Sequence, residues 1–343
     1  MKIHYLSNTI PWFGKYSGYD CIKNYLPDEG ITLSNYVPKP GFLNKLIGKF
    51  YQKLYGWNSQ KPTLICNQIK FLKSIGKSDV SHILYLEGNI HLLDKLDEVP
   101  EKLFGTIHMP FELWSQQNLE RLAGMKNTII LYKEEIEKFR PYLKGNIWYL
   151  PHGVDIDFFK PSPQVAVNKN KVLFVGHFLR NFEMIRKVYD LIVAKHGTLI
   201  EFHFVIPELH RNTEVIQYLQ KHENVFFHSN LSDEELLYQY QNSYVMLMPL
   251  TDSGANTAIV QAIAAGLPII TTDVGGIRSY GGGDVFELVE NNDSEGMVKL
   301  FEQYYNDEAF RNKVAASERD FAVNELDWKK SALDHIKLYK KVI

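Results

Sequence analysis

Short apolar runs alternate with amphipathic stretches from one end of this chain to the other. The runs Lys2–Leu6, Ile83–Leu86, Phe104–Ile107, Asn127–Leu131 and Asn146–Leu150 have the length and composition of buried strands. So do Val172–Val175, Glu201–Ile206, Val225–His228, Tyr244–Met248 and Leu267–Thr271. Helical patterns lie between them, with no internal repeat. One helix start is spelled out by Ser232 and Glu235, the spacing of a capping box. Strands regularly interleaved with helices imply parallel sheets covered on both faces, an α/β architecture. At 343 residues the chain exceeds one ordinary core, so two domains are expected.

The stretch Leu247–Gly276 combines the most elements in the fewest residues. An apolar strand ends at Pro249, and small residues from Thr251 to Asn256 form a loop. Good helix formers follow from Thr257 to Ala265, with Gly266 placed to stop them in the left-handed conformation. A loop of small residues feeding a helix N-terminus presents backbone N–H groups at the positive end of the helix dipole. Gly254, Ala255, Asn256 and Thr257 are therefore a candidate phosphate cradle. The plainer alternative is a tight packing unit whose small residues only permit close approach.

A second pattern lies at Pro40–Trp57. Apolar residues recur at Phe42, Leu43, Leu46, Ile47, Phe50, Leu54 and Tyr55, with Lys45, Lys49 and Lys53 spaced four apart. The ordinary outcome is a domain helix that packs this stripe on its sheet and leaves the lysines solvated. The other is an amphipathic helix lying on an anionic bilayer. Charge distribution keeps the second open, because Gly30 to Ser78 holds eight lysines and no acidic residue. Overall the net charge is only −2, which argues against broad nucleic-acid affinity. Two cysteines make no disulfide framework, and the polar N-terminus and lack of a long apolar run suggest a cytoplasmic protein. No His/Cys cluster suggests a metal site. The loop Ser7–Gly18 lacks the glycine spacing of a dinucleotide fingerprint.

The run QAIAAGLPIITTDVGGI, residues 261–277, resembles the donor-binding signature of glycosyltransferase family 4, where one reads EAMAAGLPVVATDVGGI. The segment Pro151-His152-Gly153-Val154-Asp155 is similar to the family's P-N-G-V-D ahead of the inter-domain linker. The resemblance implies the GT-B fold: two Rossmann-like domains facing a cleft, with the C-terminal helix crossing back to the first. It places an acceptor-side domain at residues 1–160, joined by 325–343, and a nucleotide-sugar donor domain at 161–324. It implies retaining, metal-independent transfer from a nucleoside-diphosphate sugar, with no separate cofactor. Many members take lipid-linked acceptors, so peripheral contact with the inner face of a membrane through residues 40–57 fits the resemblance too. Asp155-Ile156-Asp157 spells the D-x-D of the other large glycosyltransferase fold, but at a domain boundary rather than at a strand end in mid-domain.

Carried over by position, the resemblance implies roles for named residues. Gly18 is the counterpart of a glycine beneath the donor phosphates, and His108 that of a strand-end histidine near the donor sugar. Where the family has Arg and Lys gripping the diphosphate, this chain has His177 and Phe182, leaving Arg180 as the substitute clamp. Where the family has two glutamates, it has Ser253 and Gln261. Gln261 can still hydrogen-bond a ribose, and Asp252 is placed to supply a carboxylate. These departures leave two alternatives open: a GT-B binding or regulatory subunit without turnover, and a nucleotide-sugar epimerase. Glu87, at another predicted strand end, is the second ionisable candidate of the first half.

Overall fold

The computed structural model describes all residues except Thr9, Pro11, Trp12 and Ser59, so those positions of the predicted Ser7–Gly18 loop lie outside the described residues. Two compact units emerge. One gathers the N-terminal strand, Tyr19–Leu150 and Lys329–Ile343; the other gathers the loop up to Gly18 and Pro151–Trp328.

The first unit is built on β1 (Lys2–Leu6), β2 (Thr32–Tyr36), β3 (Val80–Ile83), β4 (Leu103–Ile107), β5 (Asn127–Ile130) and β6 (Asn146–Tyr149). All pair in parallel, in the order β2-β1-β3-β4-β5-β6. The second unit is built on β7 (Asn168–Val175), β8 (Glu201–Val205), β9 (Val225–His228), β10 (Ser243–Met248), β11 (Ile269–Thr272) and β12 (Leu288–Val289). These too are all parallel, ordered β12-β11-β10-β7-β8-β9. That is the doubly wound Rossmann order. Side chains alternate across this sheet: Val172, Phe174, Val245 and Leu247 enter one core, Leu173, Val175, Met246 and Met248 the other. Both faces being buried explains why these strands read as continuous apolar runs.

Strand β2 and the two-residue β12 have no counterpart among the predicted strands. Thr32–Tyr36 is a half-exposed edge strand, so burial imposes no apolar run on it. After Gly18 the chain enters a 3-10 segment, Tyr19–Asn24. The capping box at Ser232 and Glu235 forms, and Gly266 adopts φ 72° just past the helix Thr257–Ala264. Asp155 accepts hydrogen bonds from the backbone of Asp157 and Phe158, so the D-x-D sequence closes a local turn.

The helix Trp328–Lys340 starts in the second unit and continues in the first. There it is held by a buried polar chain. His335 Nδ1 lies 2.7 Å from the Ser331 carbonyl, to which it can only donate. Its Nε2 is then the acceptor for the Tyr19 hydroxyl at 2.6 Å. Tyr19 accepts from Thr106 at 3.3 Å, Thr106 from His82 Nε2 at 2.7 Å, and His82 Nδ1 from Tyr339 at 2.6 Å. Tyr339 accepts from Tyr5 at 3.2 Å. Every donor has one acceptor only if both imidazoles are neutral. Burial pushes His335 down to about 4 and holds His82 well below its ordinary value.

The helix Phe42–Tyr55 corrects the packing expectation. Its stripe does not cover the sheet: Phe42, Leu43, Leu46, Phe50 and Leu54 are exposed, at 83%, 66%, 55%, 63% and 59%. Only Gly48 is buried, where a Cβ would lie 1.7 Å from the Pro62 carbonyl oxygen. The helix therefore seats on the helix Pro62–Leu72 through its smallest residue and turns its apolar face outward.

Candidate functional site

In the second sheet the strand order reverses between β7 and β10, and ligands of open α/β sheets collect beyond the carboxyl ends of such a pair. Two loops leave there, Gly176–Asn181 after β7 and Pro249–Asn256 after β10. They are joined by a bridge between Arg180 and Leu250 and by Thr251 donating to the Leu179 carbonyl at 3.0 Å. Gly176 sits at φ 90°, and a Cβ there would come 2.9 Å from the Arg180 guanidinium. The glycine is what lets the arginine fold back over its own strand.

Arg180 donates from Nε to the Val175 carbonyl at 3.0 Å, from Nη1 to the Phe178 carbonyl at 3.0 Å and from Nη2 to Asn256 Oδ1 at 3.4 Å. Three of its five N–H groups are engaged, and two remain for a ligand. Desolvation lowers it only to about 10, so it stays charged near neutrality. Asn256 is 6% exposed and is also the N-cap of Thr257–Ala264, accepting from Ile259 at 3.4 Å. One side-chain oxygen thus links the arginine to the helix start. Among the described residues, the backbone N–H groups of Gly254, Ala255, Thr257 and Ala258 have no hydrogen-bond partner. A guanidinium, unpartnered amides and a positive helix end thus meet at one place, chemistry suited to an anion.

The remaining predicted residues lie around it. Asp252 turns its carboxylate to the Ser253 N–H at 2.7 Å, against Gly275, whose φ of 50° and missing side chain admit the Ser253 carbonyl. His177 stacks on His210 with ring centroids 3.5 Å apart. Burial, then His210 and Arg180, bring His177 down to about 4, leaving it neutral at pH 7. Gly18, at φ 92°, belongs to this unit with the loop before it. That loop is tied by Lys15 donating to Asp233 at 2.8 Å and by Tyr16 stacking on Phe158 at 3.8 Å.

His108 follows β4 in the first unit. Its Nδ1 lies 3.5 Å from Glu87 Oε1, an electrostatic contact rather than a hydrogen bond. Its backbone N–H reaches Glu87 Oε2 at 3.4 Å. The ring is wedged between Tyr85, stacked at 4.6 Å, and Tyr19, edge-on at 4.9 Å. Neither ring nitrogen has a hydrogen-bond partner among the described residues. Glu87 is thus brought to His108. Tyr85 and Tyr19 gave no sequence signal, because aromatic residues near strand ends are usually plain core.

Residues 155–321 match the family described as Glycosyl transferases group 1. That match lies within the second unit, which is a group 1 glycosyltransferase domain. Among curated protein sequences, none matches this one. Solved structures share the fold. Sucrose-phosphate synthase from Thermosynechococcus elongatus superposes with a TM-score of 0.75 at 16% identity, covering 99% of this chain and 98% of that one. Anabaena Alr3699/HepE, in complex with UDP and glucose, gives 0.69 at 16%, covering 99% and 100%. A mutant form of TarM from S. aureus gives 0.64 at 13%, covering 80% and 59%.

In this domain the two positions aligned with the family's glutamates are both interior. Ser253 is 2% exposed and gives its hydroxyl to the Gly254 carbonyl at 3.2 Å. Gln261 is 3% exposed; its Oε1 accepts from Tyr240 at 3.1 Å and its Nε2 donates to Ser17 at 2.8 Å. The amide that could read a ribose fastens the Lys15–Gly18 loop to the helix instead. Within the described residues, no group of three or more His, Cys, Asp or Glu could hold a metal, and no helix is long and apolar enough to cross a membrane.

Proposed function

We propose that the chain moves a glycosyl group from a nucleoside-diphosphate sugar, bound by the second unit, to an acceptor taken by the first. The observation that carries this reading is Asn256 Oδ1 shared between Arg180 and the N-terminus of Thr257–Ala264, beside four unpartnered amides. Cleavage of the sugar–phosphate bond leaves charge on the departing diphosphate. Arg180 and the amides of Gly254, Ala255 and Thr257 would stabilise that charge without a metal, since fixed cations and dipoles do the same electrostatic work. His108, whose Nε2 has no partner among the described residues, is the acid–base candidate of the first unit for the acceptor hydroxyl. Retention at the anomeric carbon follows from the family resemblance. UDP is the first nucleotide to try, because the HepE structures that share this fold hold UDP, glucose or UDP-glucose.

The exposed apolar face of Phe42–Tyr55, bordered by Lys45, Lys49 and Lys53, supports peripheral attachment to an anionic bilayer from the cytoplasmic side. A second reading, a donor-binding subunit without turnover, is favoured by one observation: the interior placement of Ser253 and Gln261 leaves no carboxylate at either family position. A thermal-shift panel of UDP-, GDP-, dTDP- and CMP-sugars, followed by a transfer and hydrolysis assay on the best binder, separates these. A stabilising nucleotide with turnover supports the enzyme. Stabilisation without turnover leaves the binding subunit, and no stabilisation by any nucleotide refutes both.

A further inference from the structure

Between the end of β2 and the helices Phe42–Tyr55 and Pro62–Leu72 lies a cavity of about 340 Å³, lined among others by Asn35, Lys39, Asn44, Thr63, Asn67 and Lys70. Among the described residues no acidic side chain lines it, and its charged residues are the two lysines. Thr63 stands in the first turn of the eleven-residue helix Pro62–Leu72, at the positive end of that dipole. Lys70 donates to Asn44 Oδ1 at 2.8 Å, which fixes its ammonium at the rim. Asn67 is 6% exposed, and its Nδ2 has no hydrogen-bond acceptor among the described residues. A buried amide donor without an acceptor costs free energy that an anionic oxygen would recover. The volume exceeds what a bare phosphate needs and suits a phosphate ester carrying a small polar group.

The helix Phe42–Tyr55 lines this cavity through Asn44 and carries its exposed apolar face on its outer side. At 100° per residue, Phe42, Leu46, Phe50, Leu43 and Leu54 span one arc and Lys45, Lys49 and Lys53 sit along its edge or within it. One helix thus offers apolar surface for acyl chains on its outer side and, through Asn44, a wall of a cationic pocket on its inner side. We propose that this cavity receives the phosphate headgroup of an anionic lipid while the helix face enters the bilayer. The proposal rests on the bilayer reading given above, and adds selectivity for the headgroup to it.

Sedimentation with phosphatidylcholine vesicles, with and without phosphatidylglycerol, tests both parts. The wild type should prefer the anionic vesicles roughly tenfold or more, and soluble glycerol 3-phosphate should compete. Replacing Phe42, Leu46 and Phe50 by Ser should abolish capture by either vesicle. Lys70→Gln, and separately the charge-neutral Asn67→Ala, should remove most of the phosphatidylglycerol preference and keep the residual phosphatidylcholine binding, with melting temperature as the check on folding. Asn67→Ala is decisive, since general surface electrostatics would not register it. If both cavity variants keep the full preference, the pocket proposal is overturned while the bilayer reading stands. If the wild type is captured by neither vesicle, or binds glycerol 3-phosphate without vesicle capture, the lipid proposal is overturned.

Discussion

Replacing Arg180 by Ala separates its two jobs. In the free protein the guanidinium holds the Val175 and Phe178 carbonyls at 3.0 Å and Asn256 Oδ1 at 3.4 Å. The site is half-buried, so water replaces part of what is lost, and the expected destabilisation is about 1–3 kcal/mol. The two uncommitted N–H groups are the ones offered to the diphosphate. Their charge-assisted bonds correspond to about 1.5–3 kcal/mol of binding, or roughly a 10- to 150-fold weaker Kd for UDP or the best nucleotide found. Arg180→Lys keeps the charge but lacks the planar fork, so it should recover part of the affinity and little of the loop stability. Calorimetric titration at a temperature where both variants remain folded reads the affinity, and thermal melts read the stability. A Kd in folded Arg180→Ala equal to that of the wild type would remove Arg180 from the ligand site and leave it a loop brace.

His108→Gln should lower transfer by roughly 10²-fold or more, within the range of positioned acid–base groups, while leaving donor affinity nearly unchanged; equal losses in kcat and donor binding would make the histidine structural. Acid should loosen the first unit through His335. Its folded value is about 4 against roughly 6.5 unfolded, so the unfolded chain binds the extra proton between those limits. Stability is therefore fully present above about 6.5 and falls towards about 4, by up to roughly 3 kcal/mol. Urea midpoints measured from pH 4 to 8 should show this slope in the wild type and a flatter one in His335→Gln. Gln261→Leu removes the acceptor of the buried Tyr240 hydroxyl and the amide that donates to Ser17, and should cost about 1–3 kcal/mol in denaturant unfolding; an unchanged midpoint would mean those bonds contribute nothing.

Much of this architecture was legible because burial wrote it into the chain. The central strand Ser243–Met248 is buried at every position, so it reads as an unbroken apolar run. The stop at Gly266 is a backbone requirement that one residue type meets most easily. The edge strand Thr32–Tyr36, half exposed, carries no such mark. The stripe of Phe42–Tyr55 was legible as amphipathic, but periodicity says which residues share a face and not what that face meets. Its outward orientation depends on Gly48 docking on Pro62, a contact between helices. The same limit applied at the site. Small residues between Thr251 and Asn256 marked a candidate anion cradle. That Asn256 would cap the helix and hold Arg180 together, or that Gln261 would be fastened by Tyr240 and Ser17, depends on tertiary neighbours far away in sequence.

The most direct test of the central claim is a crystal structure of the protein with UDP, or with whichever nucleotide diphosphate stabilises it most. The account predicts diphosphate oxygens within hydrogen-bond reach of the Arg180 guanidinium and of backbone N–H groups from Gly254 to Ala258. A diphosphate ordered elsewhere on the chain, with those amides bare, would contradict it.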